Sequence, residues 1–265
     1  MTTVVDDYTA HWDWLAPFWD ASSPEREAEE QYFLEAARAS GGPVLDIACG
    51  TGRLLTMLAD AGIASTGLDL SSAMLDRARR NVSALEESRQ RLITLEHGDV
   101  RTFSLDRRFA AMFFSWSFIY LLTPGDQRDA LRRMRDHLEP GGRLILTLPD
   151  PKIEGLPSHM FYATAPQKSN AFVRPDNGHT VIVWVSAEHN LEQQTVDLLT
   201  CYEELNEQGE VIAKFYKPLT MRFTFRYEMQ YLLELCGFDV VALHGDFHGG
   251  PFRPAGAQIW VARRA

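Results

Sequence analysis

Residues 44–55 read V-L-D-I-A-C-G-T-G-R-L-L: a short apolar strand, a turn spaced by two glycines, and the opening of a helix. Gly50 and Gly52 allow the backbone to approach a ligand closely, and the free amides that begin the helix favour a polar or anionic group there. The same alternation continues downstream. Residues 64–69 form a second apolar strand ending in Asp69, and Ser71 opens a helix whose apolar residues Met74, Leu75, Ala78 and Val82 recur at helical spacing. Residues 92–97 and 109–114 are strands three and four. Thr123-Pro124 caps a helix with Leu131, Met134 and Leu138 on one face, and Pro140-Gly141-Gly142 is expected to end it before a fifth strand over 144–148. Strands alternating with helices of this length imply a mostly parallel sheet covered on both faces.

Upstream, Ser23-Pro24 marks the start of a lead-in helix that runs until Gly41-Gly42. Downstream, between about residues 155 and 226, helical periodicity gives way to alternation. Leu219, Met221, Phe223 and Phe225 interleave with Thr220, Arg222, Thr224 and Arg226, which predicts a strand with its apolar face buried. Residues 181–186 and 195–202 are expected as its neighbours, with turns at 188–193 and 206–210. A helix over 227–236 and strands over 238–243 and 257–262 then return to the main sheet. The expected fold is α/β: a Rossmann-like, doubly wound seven-stranded sheet with the last strand antiparallel, and an antiparallel β insertion between strands five and six. The expected domains are a helical cap over 1–40, a ligand-binding domain over 41–152 and 227–265, and the insertion over 153–226, serving as a lid or dimer surface.

Composition narrows the partners. A length of 265 residues with 45% hydrophobic content provides a core for one large domain, and a net charge of −10 argues against a phosphate backbone as ligand. Nucleic acid is therefore not expected. The longest apolar run, residues 109–122, is too short to cross a bilayer, and residues 1–8 contain no basic segment of a secretory signal. Cys49, Cys201 and Cys236 are widely spaced and odd in number, which disfavours both a disulfide framework and a metal site. The expectation is a cytoplasmic protein with no metal and no membrane partner.

The glycine turn and two acids at strand ends define a ligand. After the glycine turn, Asp69 offers two acceptor oxygens suited to the hydroxyls of a ribose. Asp99, in H-G-D-V, suits the exocyclic amine of adenine, with the Val100 amide serving a ring nitrogen. Together they describe an adenosine with an amino-acid-like tail. A nicotinamide dinucleotide is the rival, but its fingerprint needs a third glycine where this chain has Leu55. With Asp46, Ala48, Gly50 and Gly52 standing in D-x-G-x-G-x-G, Asp69, Asp99 and L-E-P-G-G-R-L downstream, the chain resembles the class I S-adenosylmethionine-dependent methyltransferases. It departs from their pattern at Ala48, the first glycine position. The resemblance covers residues 46–148 and resumes at Tyr227. It implies S-adenosylmethionine as cofactor and S-adenosylhomocysteine as product. It further implies that the backbone of Ala48, Cys49, Gly50 and Gly52 cradles the methionine portion, that Leu70 and Met74 pack on the adenine, and that the main chain at Ser115 takes the ammonium.

Ligands in open parallel sheets bind beyond the carboxyl ends of the strands, so acceptor contacts are expected from the loops after strands four, five and six. The methyltransferases of nucleic-acid amines and glutamine carry N/D-P-P-Y/F after strand four, where this chain has F-S-W-S. A small organic acceptor remains. Trp116, Tyr120, Asp246 and His248 are the candidate acceptor contacts, with His248 and Tyr120 as catalytic candidates because a hydroxyl or acidic carbon needs a base. His159 and His179 are further candidates from the insertion. The aromatic lead-in, with Tyr8 and Trp12, either closes over the sulfonium and acceptor or packs on a sheet edge. The layout is similar to the bacterial deoxysugar amine methyltransferases, which implies transfer to nitrogen or oxygen of a small molecule, in bacterial secondary metabolism, with a homodimer through the insertion. Two alternatives stand beside this: carbon methylation or other use of the same cofactor, and a non-catalytic binding module.

Overall fold

A computed structural model describes residues 4–22, 26–151, 161–163 and 165–265. The chain falls into two compact units, one comprising Arg26–Ile153 and Phe223–Ala265, the other Met1–Glu25 and Glu154–Arg222. The lead-in expected as a single helical piece is thus divided, its first part grouping with the insertion and its second with the sheet.

The larger unit contains α3 (Glu27–Ser40), β1 (Val44–Ile47), α4 (Arg53–Asp60), β2 (Ser65–Asp69), α5 (Ser72–Ser83), α6 (Glu87–Gln90), β3 (Ile93–His97), β4 (Phe109–Ser115), α7 (Pro124–His137), β5 (Leu138–Pro149), α8 (Arg226–Leu235), β11 (Phe238–His244) and β12 (Ala257–Arg264). Its seven strands lie in the order β11-β12-β5-β4-β1-β2-β3. Strands β1 to β5 pair in parallel, while β12 runs antiparallel to both β5 and β11. The order reverses at β1, so the ends of β1 and β4 form the switch point where such sheets bind ligands. Strand β1 is buried along its whole length, as a central strand covered on both faces must be. On one face Phe33 and Ala37 of α3 and Leu54 and Leu58 of α4 pack with Val44, Phe113, Ile145 and Ile259.

Helix α7 starts as expected, with Thr123 accepting the Asp126 amide and Pro124 in the first turn. It stops at His137, earlier than expected. Pro140-Gly141-Gly142 instead lie inside β5, where residues 139–142 bulge between the Phe109↔Leu138 and Ala111↔Arg143 pairs. Gly141 has φ +75°, and a Cβ on Gly142 would come within 2.9 Å of the Glu139 carbonyl oxygen, so the pair serves a bulge.

The smaller unit contains α1 (Val4–Leu15), α2 (Trp19–Ser22), β6 (Phe161–Ala163), β7 (Gln167–Val173), β8 (Thr180–Asn190), β9 (Thr195–Leu205) and β10 (Val211–Arg222). Strands β10, β9 and β8 form an antiparallel sheet, with β6 and β7 both paired to β8. Leu15 and Phe18 bury themselves against Phe172, Val181, Val183 and Tyr202, with Trp12, Trp14 and Trp19 packed around them.

The strand expected over 219–226 is corrected in both extent and phase. β10 begins at Val211 and ends at Arg222, and the buried residues are Arg222 and Thr224, while Leu219, Met221, Phe223 and Phe225 are only partly covered. Polar partners explain this. Arg222 donates to the Gln193 carbonyl and to Gln194 Oε1, both at 2.7 Å. Thr224 lies in a buried network in which Gln127 Nε2 donates to its hydroxyl (3.2 Å) and Gln258 Nε2 to its carbonyl (3.1 Å). A satisfied polar side chain can be buried as readily as an apolar one, and periodicity of hydrophobicity cannot see it.

Candidate functional site

The turn after β1 is built on three left-handed residues: Ala48 (φ 56°), Gly50 (φ 55°) and Gly52 (φ 78°). An alanine in that region costs about 1 kcal/mol relative to glycine, so the departure at Ala48 is strained as well as crowded. Gly52 is the N-cap of α4 and supplies no side-chain cap, which leaves the first amides of the helix open. Cys49 turns its thiol inward onto Leu55 and Leu75, and burial pushes its pKa well up. Its contribution to the turn is therefore main-chain: its amide donates to Leu68 O (3.1 Å) and its carbonyl accepts from Gly52 (3.0 Å). Gly67 on β2 makes room for this packing, since a Cβ there would lie 2.5 Å from Leu55 Cδ1 and 2.7 Å from Cys49 Sγ.

Asp46 is buried at the end of β1 and its pKa is pushed up to about 8 by burial; Arg53 opposes the rise, while the charges of Asp69 and Glu29 add to it. Asp69 accepts the Gly50 amide on one oxygen and the Ser71 amide on the other, both at 2.8 Å, so β2 and the glycine turn are held together by one carboxylate. Its pKa is also raised by burial, against the pull of those amides. Asp99 is engaged differently. Burial would raise its pKa, but Arg101, which grips it through Nη2 (2.5 Å), Nε and its own amide, holds it below the ordinary range. Arg101 also reaches Asp126 at 3.1 Å, so Asp99 stands in an ion-pair network. Leu70 is half-buried and its carbonyl meets His97 Nε2 at 2.9 Å; Val100 is half-buried. Met74 is 3% exposed and belongs to the core of α5.

Beyond β4 the chain makes a sharp turn. Trp116 has φ +55°, a conformation that costs a residue with a Cβ of order 1–3 kcal/mol and persists only when its surroundings hold it. Its amide bonds to Thr147 on β5, at 2.9 Å to Oγ1 and 3.1 Å to the carbonyl. Its indole N–H and the Ser115 hydroxyl both donate to Glu29 Oε1, at 3.1 and 2.5 Å. Glu29 was not singled out among the neighbouring acids Glu27 and Glu30. The signal was present, because Glu29, Phe33 and Ala37 are spaced by four and share the buried stripe of α3. Arg26 and Arg53 approach the other Glu29 oxygen at 3.6 and 3.9 Å, and Arg53 makes its closer contact with Glu30.

In the loop between β11 and β12, Asp246 Oδ1 accepts the amides of His248 (2.8 Å) and Gly250 (2.9 Å), which hold its pKa below the usual carboxylate range. Asp246 and His248 are exposed, and the inward residue is Phe247, which packs by its ring against Tyr32, Phe33 and Trp116. Tyr32 OH meets His244 Nδ1 at 2.9 Å, and burial raises the Tyr32 pKa to about 12. Tyr120 closes a short 3₁₀ turn after β4 and is half-buried. The larger unit thus brings together Asp46, the Ala48–Gly52 backbone, Asp69, Ser115 and Trp116. The smaller unit holds Trp12, which packs edge-on to Trp19, and His179, which is tied to Glu204 at 2.7 Å. The side chain of Tyr8, and His159 altogether, lie outside the described residues.

Residues 44–142 match the methyltransferase domain family. The fold is that of the class I S-adenosylmethionine-dependent methyltransferases, and the sequence resembles theirs over this domain. More particularly, it is similar to a dTDP-3-amino-3,6-dideoxy-alpha-D-glucopyranose N,N-dimethyltransferase of Streptomyces fradiae, 42% identical over 39% of this chain and 38% of that one. A dTDP-3-amino-3,4,6-trideoxy-alpha-D-glucopyranose N,N-dimethyltransferase of Streptomyces venezuelae is 36% identical over 39% of this chain and 40% of its own length. The match thus spans about two fifths of either curated relative. Among solved structures, the CcbJ methyltransferase of Streptomyces caelestis superposes with a TM-score of 0.79 at 25% identity, over 96% of this chain and 98% of that one.

Proposed function

We propose that this chain methylates the nitrogen of a small amine, of the kind an amino sugar carries, using S-adenosylmethionine, in secondary metabolism. The observation that carries the reading is the gathering of the glycine turn, Asp69 and the Ser115–Trp116 turn at the ends of β1, β2 and β4. The donor set fits the cofactor: uncapped helix amides and a glycine turn for the amino-acid portion, and a carboxylate at the end of β2 for the ribose. Val100 and Leu70 flank the adenine position. When bound, the cofactor would supply a sulfonium methyl group to the acceptor lone pair, with S-adenosylhomocysteine as the leaving group as the carbon–sulfur bond breaks.

The chain's own contribution is positioning, which is where the rate of such a displacement is gained. Trp116 and Tyr120 orient the acceptor from the loop after β4. An amine that arrives neutral needs no base, and the β11–β12 loop is built accordingly: Asp246 and His248 are exposed and its inward residue is the apolar Phe247. The proton leaves the methylated nitrogen to solvent. No described helix is long and apolar enough to cross a membrane. A homodimer would use the face of the insertion sheet on which Trp184, Cys201 and Tyr216 stand in one cross-strand row, and sedimentation analysis of Tyr216→Glu tests it.

The reading is tested with methyl-labelled S-adenosylmethionine, a panel of amino sugars and their hydroxyl analogues, and mass spectrometry of products. Label on nitrogen, with His248→Ala fully active, is the expected result. Label only on oxygen or carbon refutes the amine assignment, and cofactor binding without transfer to any acceptor favours a non-catalytic module.

A further inference from the structure

Glu29 is 4% exposed, and its carboxylate meets the end of β4 and the start of α4. One oxygen accepts the Ser115 hydroxyl at 2.5 Å and the Trp116 indole N–H at 3.1 Å, both from the turn after β4. Thr147 of β5 completes the arrangement, with its hydroxyl 3.1 Å from Ser115 Oγ and 2.9 Å from the Trp116 amide. The other oxygen faces Arg26 at 3.6 Å and Arg53, the first residue of α4 after the glycine turn, at 3.9 Å. A neutral amide would serve as acceptor for the two donors equally well. A buried charge is costly where a neutral acceptor would do, and neither cation closes a hydrogen bond to it: Arg26 stands at 3.6 Å, and Arg53 gives its shorter contact to Glu30. The negative charge at this point therefore calls for a function of its own.

We propose that Glu29 is a positioning residue for the amino-acid end of the cofactor: it holds the Ser115–Trp116 turn in its left-handed shape and biases the space between that turn and the glycine turn towards an ammonium group. The inference rests on the cofactor reading above. Its consequence is selective, because only ligands that carry the amino-acid end should sense Glu29.

The experiment is titration calorimetry of the wild type, Glu29→Gln and Glu29→Ala with two probes, S-adenosylhomocysteine and 5′-methylthioadenosine, which share the adenosine but differ in the amino-acid end. Glu29→Gln should weaken S-adenosylhomocysteine binding by roughly ten-fold, the scale of one charge-assisted hydrogen bond, and leave 5′-methylthioadenosine within about two-fold. Glu29→Ala should show the same selectivity with a larger loss. Equal losses for both probes, or none, would overturn the proposal and leave Glu29 a support of the fold. Should neither Glu29 variant fold, Ser115→Ala, which removes one of its partners, takes their place with the same selective loss expected, and an unselective change overturns the proposal. A wild type that binds neither probe removes the cofactor reading itself, and this inference with it.

Discussion

Replacing Gly67 by alanine tests whether the packing beneath the glycine turn sets the geometry of the site. Gly67 lies within β2, paired with Asp46 on one side and Leu95 on the other, where a glycine has no local reason to be preferred. Its reason is tertiary. An added Cβ would sit 2.5 Å from Leu55 Cδ1, 2.7 Å from Cys49 Sγ and 3.1 Å from Cys49 Cβ. Leu55 is fully buried and Cys49 is 8% exposed, so neither has a vacant direction in which to retreat. Overpacking of this kind costs about 1–3 kcal/mol, offset in part by the lower entropy of an unfolded alanine. A net loss of about 2 kcal/mol corresponds to a fall in Tm of roughly 4–8 °C in a chain of this size. Cys49 follows Ala48 and precedes Gly50, so its displacement also moves the amide that Asp69 holds at 2.8 Å. Affinity for S-adenosylhomocysteine should drop about ten-fold or more, measured by calorimetry below the new Tm. A double-mutant cycle with Cys49→Ala should recover about 1 kcal/mol, because the thiol is one of the two atoms that clash. A Gly67→Ala protein with Tm within 1 °C of the wild type and unchanged affinity would refute the reasoning.

Asp46 is protonated in the folded state up to a pKa of about 8, against 3.8 for an ordinary aspartate, so the folded protein binds the extra proton across that window and stability declines as pH rises through it. Asp46→Asn should flatten the fall of Tm between pH 5 and 8, and an unchanged slope would contradict this origin. His11 is the opposite case: burial, with the charge of Lys217 adding, lowers its pKa from 6.5 to about 4, so the unfolded chain takes up the proton first and stability is lost as pH falls from 6.5 to 4. His11→Leu should remove on the order of 3 kcal/mol of that acid dependence, followed by far-ultraviolet circular dichroism across the range. Asp69→Ala removes the acceptor of two amides as well as the proposed ribose contact. It should lower Tm by several degrees and abolish measurable calorimetric binding of the cofactor, and retention of binding would refute the ribose assignment.

How much of the molecule was legible in the sequence depended on the range of the interactions. The order of strands and helices followed from periodicity and from end signals such as Thr123-Pro124, because these act within one turn or one strand. The glycine turn and Asp69 were legible for the same reason: a left-handed backbone and a carboxylate at a strand end are local requirements. The phase of residues 219–226 was not, because Arg222 and Thr224 are buried by partners at residues 193, 194, 127 and 258. Pro140-Gly141-Gly142 resembled a helix stop because a bulge and a stop use the same residues, and only the pairing with β4 distinguishes them.

The sequence by itself determined the mostly parallel sheet and the glycine turn at the end of β1. Those features rest on backbone conformation and on side-chain period, which neighbouring residues dictate. Tertiary structure alone decided how the polar side chains are used. It placed Glu29 beneath Trp116 across 87 residues, tied Asp99 and Asp126 to one guanidinium, that of Arg101, and turned Phe247 inward with His248 outside. A carboxylate or an imidazole has the same character wherever it stands in the chain. Which donor meets it, and whether water still reaches it, is settled only when distant segments pack.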